Sequence, residues 1–267
     1  MFLTCNYEDS EAIIDTHCHL DDELYYDDLH ELIKACEVNN IKKMIIPGAD
    51  LDTLSRAVEI AQRYESVYFS VGVHPCNCDF YDEDLLKSYI THPKCVAVGE
   101  CGLDYYRKED KDKKEKQKLI FEAQIALAKE YKKPLIIHCR DSSEDLYNIL
   151  SFHSHTLYGG VLHCFNASPL LLNLKDIGFY FGIGGVFTFK NAKNLLDILP
   201  KIPKDRLLLE TDAPYLSPEP FRGKRNEPIL THLVATKMAE LLSMDRNELI
   251  KTCTKNSNDL FFKYNVG

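Results

Sequence analysis

The sequence has no tryptophan, no paired C-x-x-C spacing among its ten cysteines, and no apolar run near the roughly 18 residues a membrane span requires. The missing run excludes a transmembrane helix. The missing pairs exclude the common zinc-ribbon and redox spacings, and scattered thiols in a chain of 267 residues read as reduced and cytosolic. The absent tryptophan carries no functional meaning. Positive charge is also short: 32 Lys and Arg against 41 Asp and Glu leave a net charge of −9, the wrong sign for a protein that coats nucleic acid. A metal centre and a local basic loop can still attract phosphate against that field. Residues 1–10 contain Glu8 and Asp9 but no basic cluster, so no secretory leader is expected. There is no linker, low-complexity stretch or repeat.

What is present is ordinary globular composition, 45% hydrophobic and 27% charged, which excludes disorder, collagen and coiled coil. The length suffices to bury a large core as one domain over 1–267, expected in the cytoplasm with no membrane contact and no obligatory protein partner. Short apolar runs recur at 12–15, 44–47, 67–73, 95–98, 134–137, 160–162, 179–183 and 207–209. Helix-like segments alternate with them at 24–37, 51–64, 83–90, 113–131, 142–150, 169–177 and 192–199, and 228–242 and 246–262 follow the last run. Short β-branched runs suit strands buried on both faces. Eight of them predict an α/β fold, a (β/α)8 TIM barrel with C-terminal helices, with a doubly wound open sheet as the alternative.

Polar residues gather where these runs end. Run one leads into Asp15-Thr16-His17-Cys18-His19, run three into His74, run four into Glu100 and Asp104, run five into His138 and Arg140, run six into His163, and run eight into Glu210 and Asp212. A barrel's C-terminal strand ends form one face, where active sites are built. One strand-end histidine has a bland explanation, a bond to a backbone carbonyl. Several converging with carboxylates call for divalent metal.

Alternation along a strand puts His17 and His19 on one side and Cys18 on the other. The same parity separates Cys101 from Glu100, Cys139 from His138 and Cys164 from His163, so these four thiols are expected beneath the helices as small apolar residues. Cys76 and Cys78, spaced C-x-C after His74, suit a soft metal, although two ordinary loop thiols are the simpler reading. His30, His92, His153, His155 and His232 are expected at the surface. Arg107 to Lys118 holds seven basic residues interleaved with Glu109, Asp110, Asp112 and Glu115, which reads as an exposed helix start with charge pairs.

Together these residues resemble the TatD-type metal-dependent deoxyribonucleases of the amidohydrolase-like barrel superfamily. The likeness runs through D-T-H-C-H-L at 15–20, G-V-H-P at 72–75, V-G-E-C-G-L-D at 98–104 and I-I-H-C-R-D at 136–141. It continues in H-C-F at 163–165, E-T-D-A-P-Y-L at 210–216 and R-G-K-R-N-E-P at 222–228. The resemblance implies two divalent ions, Mg, Mn or Zn, and hydrolysis of phosphodiester bonds in DNA, or RNA, as an exonuclease. It implies that His17, His19 and Asp212 hold one ion, that His138 and His163 hold the other, and that Glu100 bridges them. His74, Asp104, Arg140 and Glu210 then orient ligands or touch substrate. Asp212 is placed to take a proton from the attacking water, and Arg222, Lys224 and Arg225 to meet phosphate beyond strand eight.

Two other classes compete. Related barrels that cleave amides, esters or lactones often bridge their metals with a carbamylated lysine on strand four, where this chain has Glu100. A metal-dependent binding protein without catalysis is disfavoured, because all six ligand positions and Arg140 are present.

Overall fold

The computed structural model describes residues 11–263. The expectations for 1–10 and for the end of the span 1–267 lie outside the described residues. Eight strands pair in chain order: β1 (Ile13–Asp15), β2 (Ile41–Ile46), β3 (Val67–Val71), β4 (Cys95–Asp104), β5 (Leu135–Arg140), β6 (Gly160–Leu162), β7 (Phe179–Ile183) and β8 (Leu207–Leu209). Every pairing is parallel. β8 returns to β1: the Thr16 amide and hydroxyl both donate to the Leu209 carbonyl, at 3.1 and 3.0 Å, and Cys18 bridges to Ala213. The sheet is thus the expected barrel rather than an open sheet.

Helices α1 (Leu29–Val38), α2 (Leu51–Arg63), α3 (Glu83–Ile90), α4 (Lys108–Lys111), α5 (Lys114–Glu130), α6 (Ser143–His153) and α7 (Lys193–Ile198) lie between strands. Helices α8 (Thr231–Leu242) and α9 (Arg246–Phe261) follow β8. Their apolar stripes face the sheet, as in α2, where Leu54, Ala57, Val58 and Ala61 are buried at helical spacing. The Asp50 carboxylate caps α2 by accepting from the Asp52 amide, and Asp245 caps α9 by accepting from Glu248. The segment expected as a helix at 169–177 is a 3-10 helix, Leu171–Ile177, that ends at Gly178 in the left-handed region.

β4 is ten residues long, against the four expected at 95–98. Its second half is rich in glycine and polar residues, so apolar periodicity hides it. A register irregularity between Val98 and Cys101 lets the strand continue. Gly102 presses against β5, where a Cβ would fall 2.1 Å from the His138 carbonyl oxygen. Glu100 therefore sits within a strand, not beyond its end.

Two apolar layers support the mouth. One joins the strands to the surrounding helices and includes Cys18 and Cys101, as parity required. The other comprises Ile45, Val96, Ala97, Ile136, Val161 and Leu208, with Leu260 and Phe261 of α9 packed against them. Ile136, Val161 and Leu208 each stand two residues before His138, His163 and Glu210, so those polar groups emerge on the same face, above this layer.

His232 departs from expectation. It is buried, its Nε2 lies 2.6 Å from the Asn39 carbonyl oxygen, and its Nδ1 lies 2.6 Å from the Arg246 guanidinium. Its helix faces the core at that turn, and two polar partners satisfy the ring. Burial, aided by Arg246, pushes its pKa down to about 4. Asp110, expected on an exposed helix start, is also buried.

Candidate metal centre

The exits of β1 and β8 are tied by Asp15. This buried carboxylate accepts from the His17 amide (3.2 Å), the Thr211 amide (3.1 Å) and the Thr211 hydroxyl (2.6 Å). It therefore sets the chain direction immediately before His17 and Asp212 at once. Burial pushes its pKa up to about 8 against those three bonds. Sequence reading gave Asp15 no role, although an acid two residues before an H-x-H pair was the available signal.

At the mouth, His17 Nε2 lies 3.3 Å from His19 Nε2, 3.4 Å from Glu100 Oε2 and 3.6 Å from Asp212 Oδ1. The His163 ring stacks on His17 with centroids 3.4 Å apart, and its Nε2 lies 3.7 Å from Asp212 Oδ1. On the other side of Glu100, Oε1 lies 2.9 Å from His138 Nδ1 and 3.6 Å from His74 Nε2. Four sets of ligand atoms among the described residues could thus hold a cation: His17, His163 and Asp212; His17, His19 and Glu100; His74, Glu100 and His138; and, to one side, His74, Cys76 and Asp104. All six residues of the expected ligand set fall in these groups. His163, paired with His138 by the resemblance, lies here against His17 and Asp212.

The donor chemistry fits a divalent ion. Among the described residues, His17 Nδ1, His163 Nδ1 and Glu210 Oε2 are buried without a hydrogen-bond partner, while the Nε2 atoms converge on carboxylates. Mixed imidazole and carboxylate sets accept Zn, Mn or Mg. Burial opposes ionisation of Glu100, but His74, His138 and His17 overcome it and hold the carboxyl well below its usual range. Asp212 is likewise held low against burial, by His19, His163 and His17. Burial disfavours charge on His163 too, yet Glu210 and Asp212 push its pKa up to about 10. A cation entering this cluster must displace such protons.

The residues around the centre hold it in place. Glu210 Oε1 accepts from the Cys164 amide at 2.6 Å and lies 3.2 Å from His163 Nδ1. Its carboxylate lies over Gly182, where a Cβ would meet Oε2 at 2.0 Å. Asp104 accepts from the Tyr106 amide through Oδ1 and meets His138 Nε2 through Oδ2, both at 2.9 Å. His74 Nδ1 accepts from the Cys76 amide, so its proton is on Nε2, facing Glu100. Burial keeps that ring neutral, with a pKa near 4.

A cavity of about 560 Å³ opens beside His138, His163 and Asp212, bordered by Arg140, Asn166, Asn194 and Tyr215. Asn166 lies on the loop after β6 and Asn194 in the first turn of α7, with no motif to announce them. Cys164 lines the cavity, contrary to the expectation that it packs beneath helices, whereas Cys139 borders the cavity and also packs against the apolar core and the start of α6. The cavity reaches outward past β5, and Cys164 takes a positive φ of 42°, so strand parity no longer applies there. Arg140 stacks over the Tyr106 ring at 3.7 Å, and Arg222 over Phe189 at 3.9 Å. Lys224 is exposed. Arg225 departs from its neighbours: its guanidinium is engaged by Asp28 (2.9 and 2.7 Å), the Leu24 carbonyl (2.8 Å) and Glu227 (3.2 Å).

A family model described as TatD related DNase matches residues 14–262. The uncharacterized metal-dependent hydrolase YabD of Bacillus subtilis is 43% identical over 253 residues, covering 93% of this chain and 98% of that protein. The 3'-5' ssDNA/RNA exonuclease TatD of Edwardsiella piscicida is 33% identical over 259 residues, covering 93% of this chain and 99% of that one. Among solved structures, the TatD homologue YJJV of Escherichia coli superposes with a TM-score of 0.86 at 29% identity, covering 93% of this chain and 97% of that one.

Proposed function

The chain belongs to the TatD related DNase family and is a metal-dependent hydrolase, and from that premise we propose that it cleaves phosphodiester bonds at the end of a DNA strand with two divalent ions. The observation that carries this reading is Glu100, whose two oxygens face different imidazole groups, His17 on one side and His138 with His74 on the other. A carboxylate so placed suits a bridge between two ions, with His17, His19 and Asp212 on one and His138 and His163 on the other. Bound divalent ions would supply Lewis acidity to the phosphodiester and to the attacking water.

The chain's own groups divide the remaining tasks. Asp212, kept ionised by the histidines around it, accepts the proton of the attacking water. Arg140, at the cavity edge, holds a non-bridging phosphate oxygen. Arg222 and Lys224 add positive charge where the net charge of −9 would otherwise repel a polyanion. Asp15, Asp104 and Glu210 keep His17, His138 and His163 in place. The name of the Edwardsiella relative supports a single strand, DNA or RNA, as substrate.

Purified protein reconstituted with Mn2+, Mg2+ or Zn2+ tests the reading on end-labelled single- and double-stranded DNA, alongside a panel of amides and lactones. Stepwise shortening of single strands, abolished by chelation and restored by a divalent ion, is expected. Turnover of a lactone or amide by fully metallated protein that leaves DNA intact would replace the proposal with a small-molecule hydrolase.

A further inference from the structure

Cys76 and Cys78 form a C-x-C pair in sequence, but the structure separates them. Cys78 is buried, whereas Cys76 remains half-buried in the 3-10 turn Pro75–Phe80, near the end of β4. There a ring nitrogen of His74, Cys76 Sγ and an Asp104 oxygen all lie within 4.8 Å of one another. The His74 Nδ1 lone pair is unprotonated, because it accepts the Cys76 amide at 3.2 Å, a long contact that a cation can replace.

A further carboxylate borders this group of three from α4. Asp110 is only 5% exposed, its carboxylate interacts with the Cys76 thiol, and its Oδ2 has no hydrogen-bond partner among the described residues. The position is well defined, since Gln117 Nε2 donates to the backbone carbonyls of both Asp104 (2.9 Å) and Asp110 (3.2 Å). A buried carboxylate oxygen without a partner is costly unless a cation meets it. His17, His19, His163 and Asp212 take no part in this cluster.

We propose that His74, Cys76, Asp104 and Asp110 form a separate site for a thiophilic divalent ion such as Zn2+, outside the six-ligand centre and joined to it through Asp104. Sulfur, nitrogen and two carboxylates match the donor preference and four-coordination of zinc, and the thiolate discriminates against Mg2+. Asp104 Oδ2 also meets His138 Nε2 at 2.9 Å, so an ion here draws on the same carboxylate that positions His138.

Cobalt serves as the probe, because a Co2+–thiolate bond absorbs by charge transfer in the near ultraviolet. Full-length protein saturated with Co2+ is expected to show that band and to bind one equivalent more than Cys76→Ser, which loses the band. Cys78→Ser and Cys164→Ser should keep both the band and the full equivalents. Asp110→Asn should retain the fold by circular dichroism and weaken binding of the thiolate-linked ion at least tenfold. The comparison is between wild type and variant, so it stands whether or not the protein cleaves DNA. Absence of the band in saturated wild type, or its survival in Cys76→Ser, would overturn the proposal.

Discussion

The basic loop after β8 allows a quantitative test, because the structure splits residues that look alike in sequence. The charged groups of Arg222 and Lys224 lie over the aromatic rings of Phe189 and Phe221 with no acidic partner among the described residues, whereas the guanidinium of Arg225 is engaged by Asp28 and Glu227. Only the first two have charge to offer a strand. Each phosphate contact to single-stranded nucleic acid contributes about 0.7 to the slope of log affinity against log salt, so removing two lowers it by roughly 1.4. Between about 50 and 200 mM salt, wild type should therefore lose roughly sevenfold more affinity than Arg222→Ala/Lys224→Ala. Arg225→Ala should leave the slope unchanged and instead destabilise the fold by about 1–2 kcal/mol, a modest cost because solvent partly screens the pair. Fluorescence anisotropy of a labelled oligonucleotide across a salt series, with non-hydrolysable linkages, reads the slope, and urea unfolding reads the stability. Equal slopes for wild type and the double variant, or a flattened slope in Arg225→Ala alone, would show that the loop does not meet phosphate in this way.

Glu100→Gln should lower both bound divalent metal and kcat by about two orders of magnitude or more, since it removes a charged ligand facing two groups. Cys101→Ala, on the opposite face of β4, should keep turnover and cost about 1 kcal/mol of stability; metal analysis with kinetics distinguishes the two, and reversed effects would refute the assigned faces. His232 has a folded pKa near 4 against an ordinary 6.5, so only the unfolded chain takes up this proton between those values. Its contribution is complete above pH 6.5 and is lost as the pH falls toward 4, by up to about 3 kcal/mol. Urea unfolding at several pH values should show this loss in wild type and a flatter profile in His232→Gln; identical profiles would contradict it. Gly182→Ala should push the Glu210 carboxylate off the Cys164 amide and reduce metal affinity about tenfold through His163. Unchanged affinity in a metal titration would mean that Glu210 does not orient His163.

The strands and their order were legible because a strand buried on both faces must be apolar, and runs such as 179–183 and 207–209 coincide with β7 and β8. The reading weakened wherever a strand carries the site itself. In β4, glycines and Glu100 replace the apolar pattern because that segment presses on β5 and faces the mouth. Parity placed Cys18, Cys101 and Cys139 against the apolar core but failed for Cys164, where the chain has left β6 and takes a positive φ. His232 was misplaced because helical position alone does not tell which histidine has partners waiting in the core. The cavity, the isolation of Arg225 from its loop neighbours, and the burial of Asp110 depend on loops that approach one another only in three dimensions.

The packing of α9 bears on synthesis. Thr254 in that helix donates to the Ala12 carbonyl beside β1, across 242 residues of sequence, and Leu260 and Phe261 join the inner layer of the barrel. At ribosomal rates of about 5–20 residues per second, the start of the barrel waits roughly 12–48 s for the helix that completes it. During that interval Ile45, Val96, Ile136 and Val161 belong to an unfinished cylinder with an open apolar floor. Nascent chains of this protein are therefore expected to engage holdase chaperones until α9 leaves the exit tunnel.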